Sequence, residues 1–161
     1  MKYEMQIDGM AEISELLGKM EQQAPAVAAQ ALYVGAGIMS DAIRQEANGI
    51  KTAAFRYAKN GESRMPSPEE KEIVTAAGAG IAKFDKNATE VNTSVGYRNA
   101  GYADLKGKKK PIPVIVNSIN SGTSFMNKQP FVRKAARNGG TKAMEAMKEF
   151  IEDAFDKMQK T

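Results

Sequence analysis

Val91-Asn92-Thr93-Ser94-Val95-Gly96-Tyr97 sets a β-favouring residue at every second position, and a period of two marks a half-buried strand. This stretch decides the fold because the chain on either side keeps a different period. On the N-terminal side Ala28, Leu32, Gly35, Met39 and Ile43 form one helical stripe, flanked by Val27, Ala31, Ile38 and Ala42. On the C-terminal side Ala143, Met144, Met147, Phe150, Ile151, Ala154, Phe155 and Met158 form another, each spaced by three and four residues as one helix face requires. Strands set between two long amphipathic helices predict an α+β fold. Its small, mostly antiparallel sheet would pack against the central and the C-terminal helix.

Working outward from the strand, Ile81-Ala82-Lys83-Phe84 is its candidate neighbour, with a turn at Asp85-Lys86-Asn87. Before it, Ser67-Pro68-Glu69-Glu70 has the form of a capping box, Ser67 as cap and Glu70 three residues on. The helix it opens should reach Ala77 and stop at Gly78. Residues 49–66 have no period and are expected to be a long flexible loop, mixing Lys51, Arg56, Lys59 and Arg64 with Phe55 and Tyr57. The central helix is placed at 24–48, with Pro25 in its first turn and Asn48-Gly49 as its stop. Gly35 and Gly37 within it imply close approach of another backbone, since each costs roughly 1 kcal/mol against alanine. A shorter helix carrying Met10, Ile13, Leu16, Leu17 and Met20 precedes it. Before that come a strand of Tyr3, Met5 and Ile7 and a turn at Asp8-Gly9, Asp8 also being able to cap the helix.

Beyond the strand, residues 99–111 are lysine-rich and expected to be a second flexible loop. A helix of two turns is placed after Pro111, over Ile112 to Val116. Pro130 opens the last helical segment, which Asn138-Gly139-Gly140 should interrupt and Thr141 re-cap. The whole, residues 1–161, fits one domain.

Composition narrows function mainly by what is missing. The chain has neither cysteine nor histidine, which removes thiolate chemistry and the side chain most used for proton transfer near neutral pH. Glu69, Glu70 and Glu72 are accounted for by the acidic first turn of a capped helix. Asp41, Asp85 and Asp104 lack calcium-loop spacing. Gly35-Ala36-Gly37 and Gly78-Ala79-Gly80 are not followed by the Gly-Lys-Ser/Thr of a phosphate loop. The expectation is a protein that is not an enzyme and takes no cofactor and no metal. The 23 basic and 19 acidic residues leave a net charge of +4, interleaved along most of the chain. No run of about 18 apolar residues is seen, and the first eight residues break too regularly for a signal peptide, so no membrane contact and a cytoplasmic place of synthesis are expected.

Asn120-Ser121-Gly122-Thr123-Ser124, followed by Lys128-Gln129-Pro130-Phe131-Val132-Arg133-Lys134-Ala135, resembles a known family. It is similar to the small tail-component or tail-completion proteins of long-tailed bacteriophages, which act at the head–tail junction. In that family a Gly-Thr-Ser turn, a Pro-Phe pair and an Ala-containing helix come in this order before a long terminal helix. Val95-Gly96-Tyr97 resembles the strand before the family's variable loop, and Ala31 to Arg44 resembles its Ala-rich helix. The stretch 49–90 departs from the pattern, because the family moves to its first hairpin sooner. The resemblance implies a structural virion protein that forms a ring of six copies between the head connector or stopper and the tail-tube proteins. It would be assembled in the host cytoplasm, and the isolated chain could still be a monomer.

The motif also has a physical reading. Gly122 permits a positive φ and reverses the chain, Thr123 or Ser124 bonds local backbone, Pro130 starts a helix and Phe131 anchors it. Contact surfaces are expected at Phe55, Arg56 and Tyr57, at Lys106, Lys108, Lys109 and Lys110, and at Phe150, Phe155 and Met158, where the C-terminal face is more apolar than so small a fold needs. Protein partners are the first expectation for the basic loops, with weak contact to passing double-stranded DNA second. The alternative function is a small basic DNA-binding or packaging accessory protein.

Overall fold

A computed structural model describes residues 10–59, 61–83, 85–86 and 91–160. The elements are α1 (Met10–Asn48), α2 (Pro68–Ala77), β1 (Gly80–Ile81), β2 (Asp85–Lys86), β3 (Val91–Asn92), β4 (Val95–Gly96), β5 (Tyr102–Leu105), β6 (Lys108–Pro111), α3 (Ile112–Ser121) and α4 (Phe131–Gln159). The class is α+β, with α1 and α4 the two long helices, packed against each other. The strand expected at Tyr3–Ile7 and the turn and cap at Asp8-Gly9 lie outside the described residues.

Two expected helix breaks are absent. α1 runs unbroken through Pro25, where a shorter helix and then a second beginning at residue 24 were expected. An internal proline forfeits one backbone hydrogen bond and crowds the preceding turn. The helix nevertheless continues past it, with Val27 and Ala29 buried within the next turn. α4 likewise runs straight through Asn138-Gly139-Gly140, without a fresh cap at Thr141. Gly139 is buried against α1, where an added Cβ would come within 2.8 Å of the Ala42 Cβ, and Asn138 donates to Glu46 across the same seam at 2.8 Å. Gly139 is therefore a packing contact. Gly35 is its counterpart on α1, but it receives the Met147 side chain rather than a backbone, and Gly37 meets nothing within 4 Å.

Among the described residues the antiparallel pairing is divided among three two-stranded ladders, β1–β4, β2–β3 and β5–β6. The first two belong to one hairpin. Gly80 pairs Gly96 and Ile81 pairs Val95, whereas Asp85 pairs Asn92 and Lys86 pairs Val91. Three residues separate β1 from β2 but two separate β3 from β4, so the register slips by one, as at a β-bulge. Hence the expected continuous strand over Val91–Tyr97 is broken at Thr93-Ser94, and Asp85-Lys86, expected to turn, are paired instead. Asn87 is not among the described residues.

The segment 99–111, expected to be a flexible loop, is the hairpin β5–β6. Its turn, Lys106-Gly107, has φ of 52° and 73°, the two positive angles that a type I′ hairpin turn needs. After it α3 buries Ile112, Ile115, Val116 and Ile119, one face at helical spacing, and this helix was foreseen in place though not in length. The core joins them to Ile43, Ala47, Val74, Leu105, Phe131 and Ala135.

Candidate partner interface

The long loop between α1 and α2 lacks regular structure, as expected, yet it is tied down at both ends. At its start the Lys51 N–H donates to Gln129 Oε1 at 2.8 Å, and Gln129 Nε2 donates back to the Lys51 carbonyl at 2.7 Å. At its end the Arg64 N–H donates to the Phe125 carbonyl at 2.8 Å, and the Asn127 N–H donates to the Arg64 carbonyl at 2.9 Å. Both ties reach the segment 125–129, which follows the Gly-Thr-Ser turn.

That turn is built as its residues suggest. Gly122 has φ +75°, and a Cβ there would meet Lys128 backbone atoms at 3.2 Å, so glycine is required twice over. Thr123 and Met126 exchange backbone hydrogen bonds at 3.0 and 3.3 Å, and Thr123 Oγ1 accepts from the Phe125 N–H at 3.3 Å. Ser124 is exposed. Pro130 occupies the cap position of α4 without a side-chain bond. Asn120 Oδ1 takes over that task, accepting from the Val132 N–H at 3.1 Å and satisfying one donor the helix start leaves open. Phe131 is buried and meets Tyr97 edge to face at 6.2 Å between ring centroids. The Tyr97 hydroxyl is buried and has no hydrogen-bond partner among the described residues. Burial, opposed by the nearby Arg44 charge, pushes its pKa up to about 12.

Arg64 is the residue that sequence reasoning undervalued. It stood among the loop's mixed basic residues, yet its guanidinium is buried and holds Glu70 with two bonds of 2.7 and 2.6 Å. Glu70 in turn accepts the Ser67 N–H at 2.8 Å, while Ser67 Oγ accepts the Glu70 N–H at 3.2 Å, completing the capping box. Burial by itself would raise the Glu70 pKa. The bonds from Arg64 and the Ser67 backbone, with the Arg64 charge, outweigh burial and hold it below its ordinary 4.5. A forked arginine–carboxylate pair adds geometric specificity to charge-assisted hydrogen bonds, which are stronger than neutral ones. Its sequence signal was a basic residue one short loop ahead of a capping box.

On this frame two cations lie close to the Phe55 ring. Lys106 Nζ sits 3.6 Å from the ring centroid and Arg64 Cζ 5.0 Å, both within cation–π range. Tyr57 meets Phe55 edge to face at 5.2 Å and is itself 81% exposed. Arg56 is exposed and lies 3.6 Å from Glu62. The Lys106 N–H reaches Glu69 at 3.4 Å, so the β5–β6 turn is docked on both the loop and α2. Phe55, Arg56, Tyr57 and Lys106 thus form one surface. Lys108, Lys109 and Lys110 follow along β6, all exposed and alternating between its two faces, with Asp104 paired opposite Lys109 in the ladder.

Phe150, Phe155 and Met158 form no part of it. They lie on α4, Phe150 roughly five helical turns beyond Phe131. Phe150 and Met158 line a groove of about 690 Å³ between α4 and α1, and Phe155 is half-buried outside that lining. Among the described residues no three carboxylates gather as metal ligands do. α1 contains one window, within Gly18–Asn48, long and apolar enough to cross a membrane by length and composition; the expectation that no such stretch exists is corrected. Compared with known protein families, curated proteins and solved structures, the chain matches none.

Proposed function

We propose that this chain is a structural adaptor of a long-tailed phage virion, acting at the head–tail junction as one subunit of a ring between head connector and tail tube. The observation that carries the reading is the double tie between segment 125–129 and the loop 51–64. The clamp lies between the two parts of the motif on which the family resemblance rests. Gly122-Thr123-Ser124 turns the chain before it and Pro130-Phe131 starts α4 after it, while Phe125, Asn127 and Gln129 hold the loop that carries Phe55, Arg56 and Tyr57. A surface of one exposed tyrosine, one framed phenylalanine and surrounding cations has the composition of a protein contact patch, in which aromatic and arginine side chains supply most of the binding energy. Its work is shape-complementary binding, with no chemistry performed. Six copies follow from the resemblance, and a closed ring needs a heterologous contact between neighbours.

Deleting the gene from the phage or prophage that carries it, and viewing the lysate by negative-stain microscopy, tests the reading. Filled heads lying beside separate tails are expected. Complementation with Tyr57→Asp should fail and with Tyr57→Phe succeed. Normal infectious particles from the deletion would overturn the proposal.

A second reading, a basic DNA-binding accessory protein, rests on the three exposed lysines of β6. It predicts duplex binding that weakens steeply with salt. Retention of duplex binding after Lys108, Lys109 and Lys110 are all changed to serine would remove that surface from it.

A further inference from the structure

α4 carries its charge in two blocks. From Phe131 to Lys142 every charged residue is basic, and from Glu145 to Asp156 every one but Lys148 is acidic. Spacings of three and four set like beside like: Arg133 next to Arg137, then Glu145, Glu149, Glu152 and Asp156 in one stripe, all of them exposed. Among the described residues these side chains make one ion pair, Glu152 with Lys148 of the same helix at 3.7 Å. The first turn holds Arg133 and Lys134 and no acid, where the helix dipole favours the opposite sign. A helix charged for its own stability alternates signs at this spacing, as α1 does with Glu15–Lys19 and Asp41–Arg44. α4 repels itself within each block, so its pattern answers to something outside the chain. Between the blocks Met144 is 65% exposed, an apolar centre with charge on either side, the layout of a contact patch.

We infer that the acidic stripe of one copy receives the basic block of the next, head to tail, as the contact that links neighbours in the ring. A second copy is the occupant the charges select, because this chain itself carries both signs on one exposed helix. A partner complementary to one block alone leaves the other unanswered. The blocks are unlike surfaces set apart along the helix, Arg137 and Glu149 by about 18 Å. Two unlike patches on each subunit are what a heterologous contact that closes into a ring requires. Complementary charge of this kind fixes orientation and register more than affinity. An antiparallel pair of α4 helices matches the same signs, but it uses both blocks at once and stops at two copies. The head-to-tail direction therefore rests on the adaptor reading, while the pairing of the blocks rests on the charges. Neither block includes Phe55, Tyr57 or Lys106, the patch assigned to head connector and tail tube.

The chain has no cysteine, and residues 137 and 149 stand too far apart on one helix for a disulfide to bridge them. The full chain carrying both Arg137→Cys and Glu149→Cys should therefore oxidise to a ladder of covalent oligomers above the dimer at low ionic strength, and lose it in high salt. Each single variant should give no cross-link, and an equal mixture of the two a dimer only. A double variant that stops at the dimer reveals the antiparallel pair and overturns the proposal, as does one that stays monomeric. In the phage, Arg133→Glu with Arg137→Glu should abolish joining, as should Glu145→Lys with Glu149→Lys, and the two pairs combined should restore it. The arginine variant should melt no lower than the natural chain by circular dichroism, because an acid then stands in the first turn of the helix. Its failure to join is then a lost contact and not a lost fold. A combination as defective as either pair means that the blocks meet different partners, duplex DNA or a head protein on the basic one, and overturns the proposal. The two readings fail separately. A ladder together with normal particles from the gene deletion removes the adaptor and keeps the contact; separated heads and tails without ladder or restoration do the reverse.

Discussion

The two halves of the molecule are held together by opposite means. Around the loop 51–66, order comes from polar bonds of fixed geometry: the forked Arg64–Glu70 pair, the capping box, and backbone ties to segment 125–129. Along the α1–α4 seam it comes from small residues meeting side chains, Gly139 on Ala42 and Gly35 under Met147. The contrast teaches where each half is vulnerable. A bonded frame fails when one partner is deleted, because the survivor is left buried and unsatisfied. A packed seam fails when volume is added.

The largest effect should follow from Arg64→Met. It strands the Glu70 carboxylate, whose side chain is 4% exposed, and removal of one partner of a buried pair costs roughly 3–5 kcal/mol. Urea unfolding would measure it, and adding Glu70→Leu should recover part of the loss. An unchanged midpoint in Arg64→Met would dissolve the contrast. Next comes Gly139→Ala, where overpacking costs about 1–3 kcal/mol against a propensity gain of roughly 1 kcal/mol, for a net loss read as a lowered melting temperature. Its neighbour sharpens the point: Gly140 has nothing within 4 Å, so Gly140→Ala should stabilise by up to about 1 kcal/mol.

Acid should separate the halves as well. Glu70 titrates below its ordinary value in the folded chain, so its stabilisation is complete above that ordinary value and is lost as pH falls through the lowered one. Acid unfolding followed between pH 5 and 2 should show this slope in the natural chain and lose it in Glu70→Gln, which will be less stable at neutral pH. The smallest effect is expected from Phe55→Ala. Exposed cation–π contacts contribute about 0.5–1 kcal/mol, so stability should barely move, while hydrogen exchange at Lys106 and Gly107 should quicken as the hairpin tip loses its seat.

The bonded half was legible wherever one residue type carries one task. Ser67 and Glu70 declared a cap, and Gly122, Pro130 and Phe131 declared a reversal, a start and an anchor, and all five stand in those places. Arg64 was hidden because a buried arginine and a solvated one look alike until the carboxylate is seen. The packed half was misjudged at Pro25 and at Gly139-Gly140, where local propensity argues for a break. At Gly139 the opposing force is contact with Ala42 on a helix distant in sequence, which no local pattern reports. The hairpin at 102–111 went unseen for a related reason. Its lysines suggested a solvated loop, although Leu105-Lys106-Gly107-Lys108 offers glycine where a two-residue turn needs it.

α1 also has a mechanical meaning. At 39 residues it is a strut about 58 Å long, and it ends just before Ile50 and Lys51, where the loop is tied to Gln129. A tilt of about 5° at one end therefore swings the other by about 5 Å, more than a contact patch tolerates without re-registering. Whatever seats itself on the far turns of this helix holds a lever whose short arm is the interface loop.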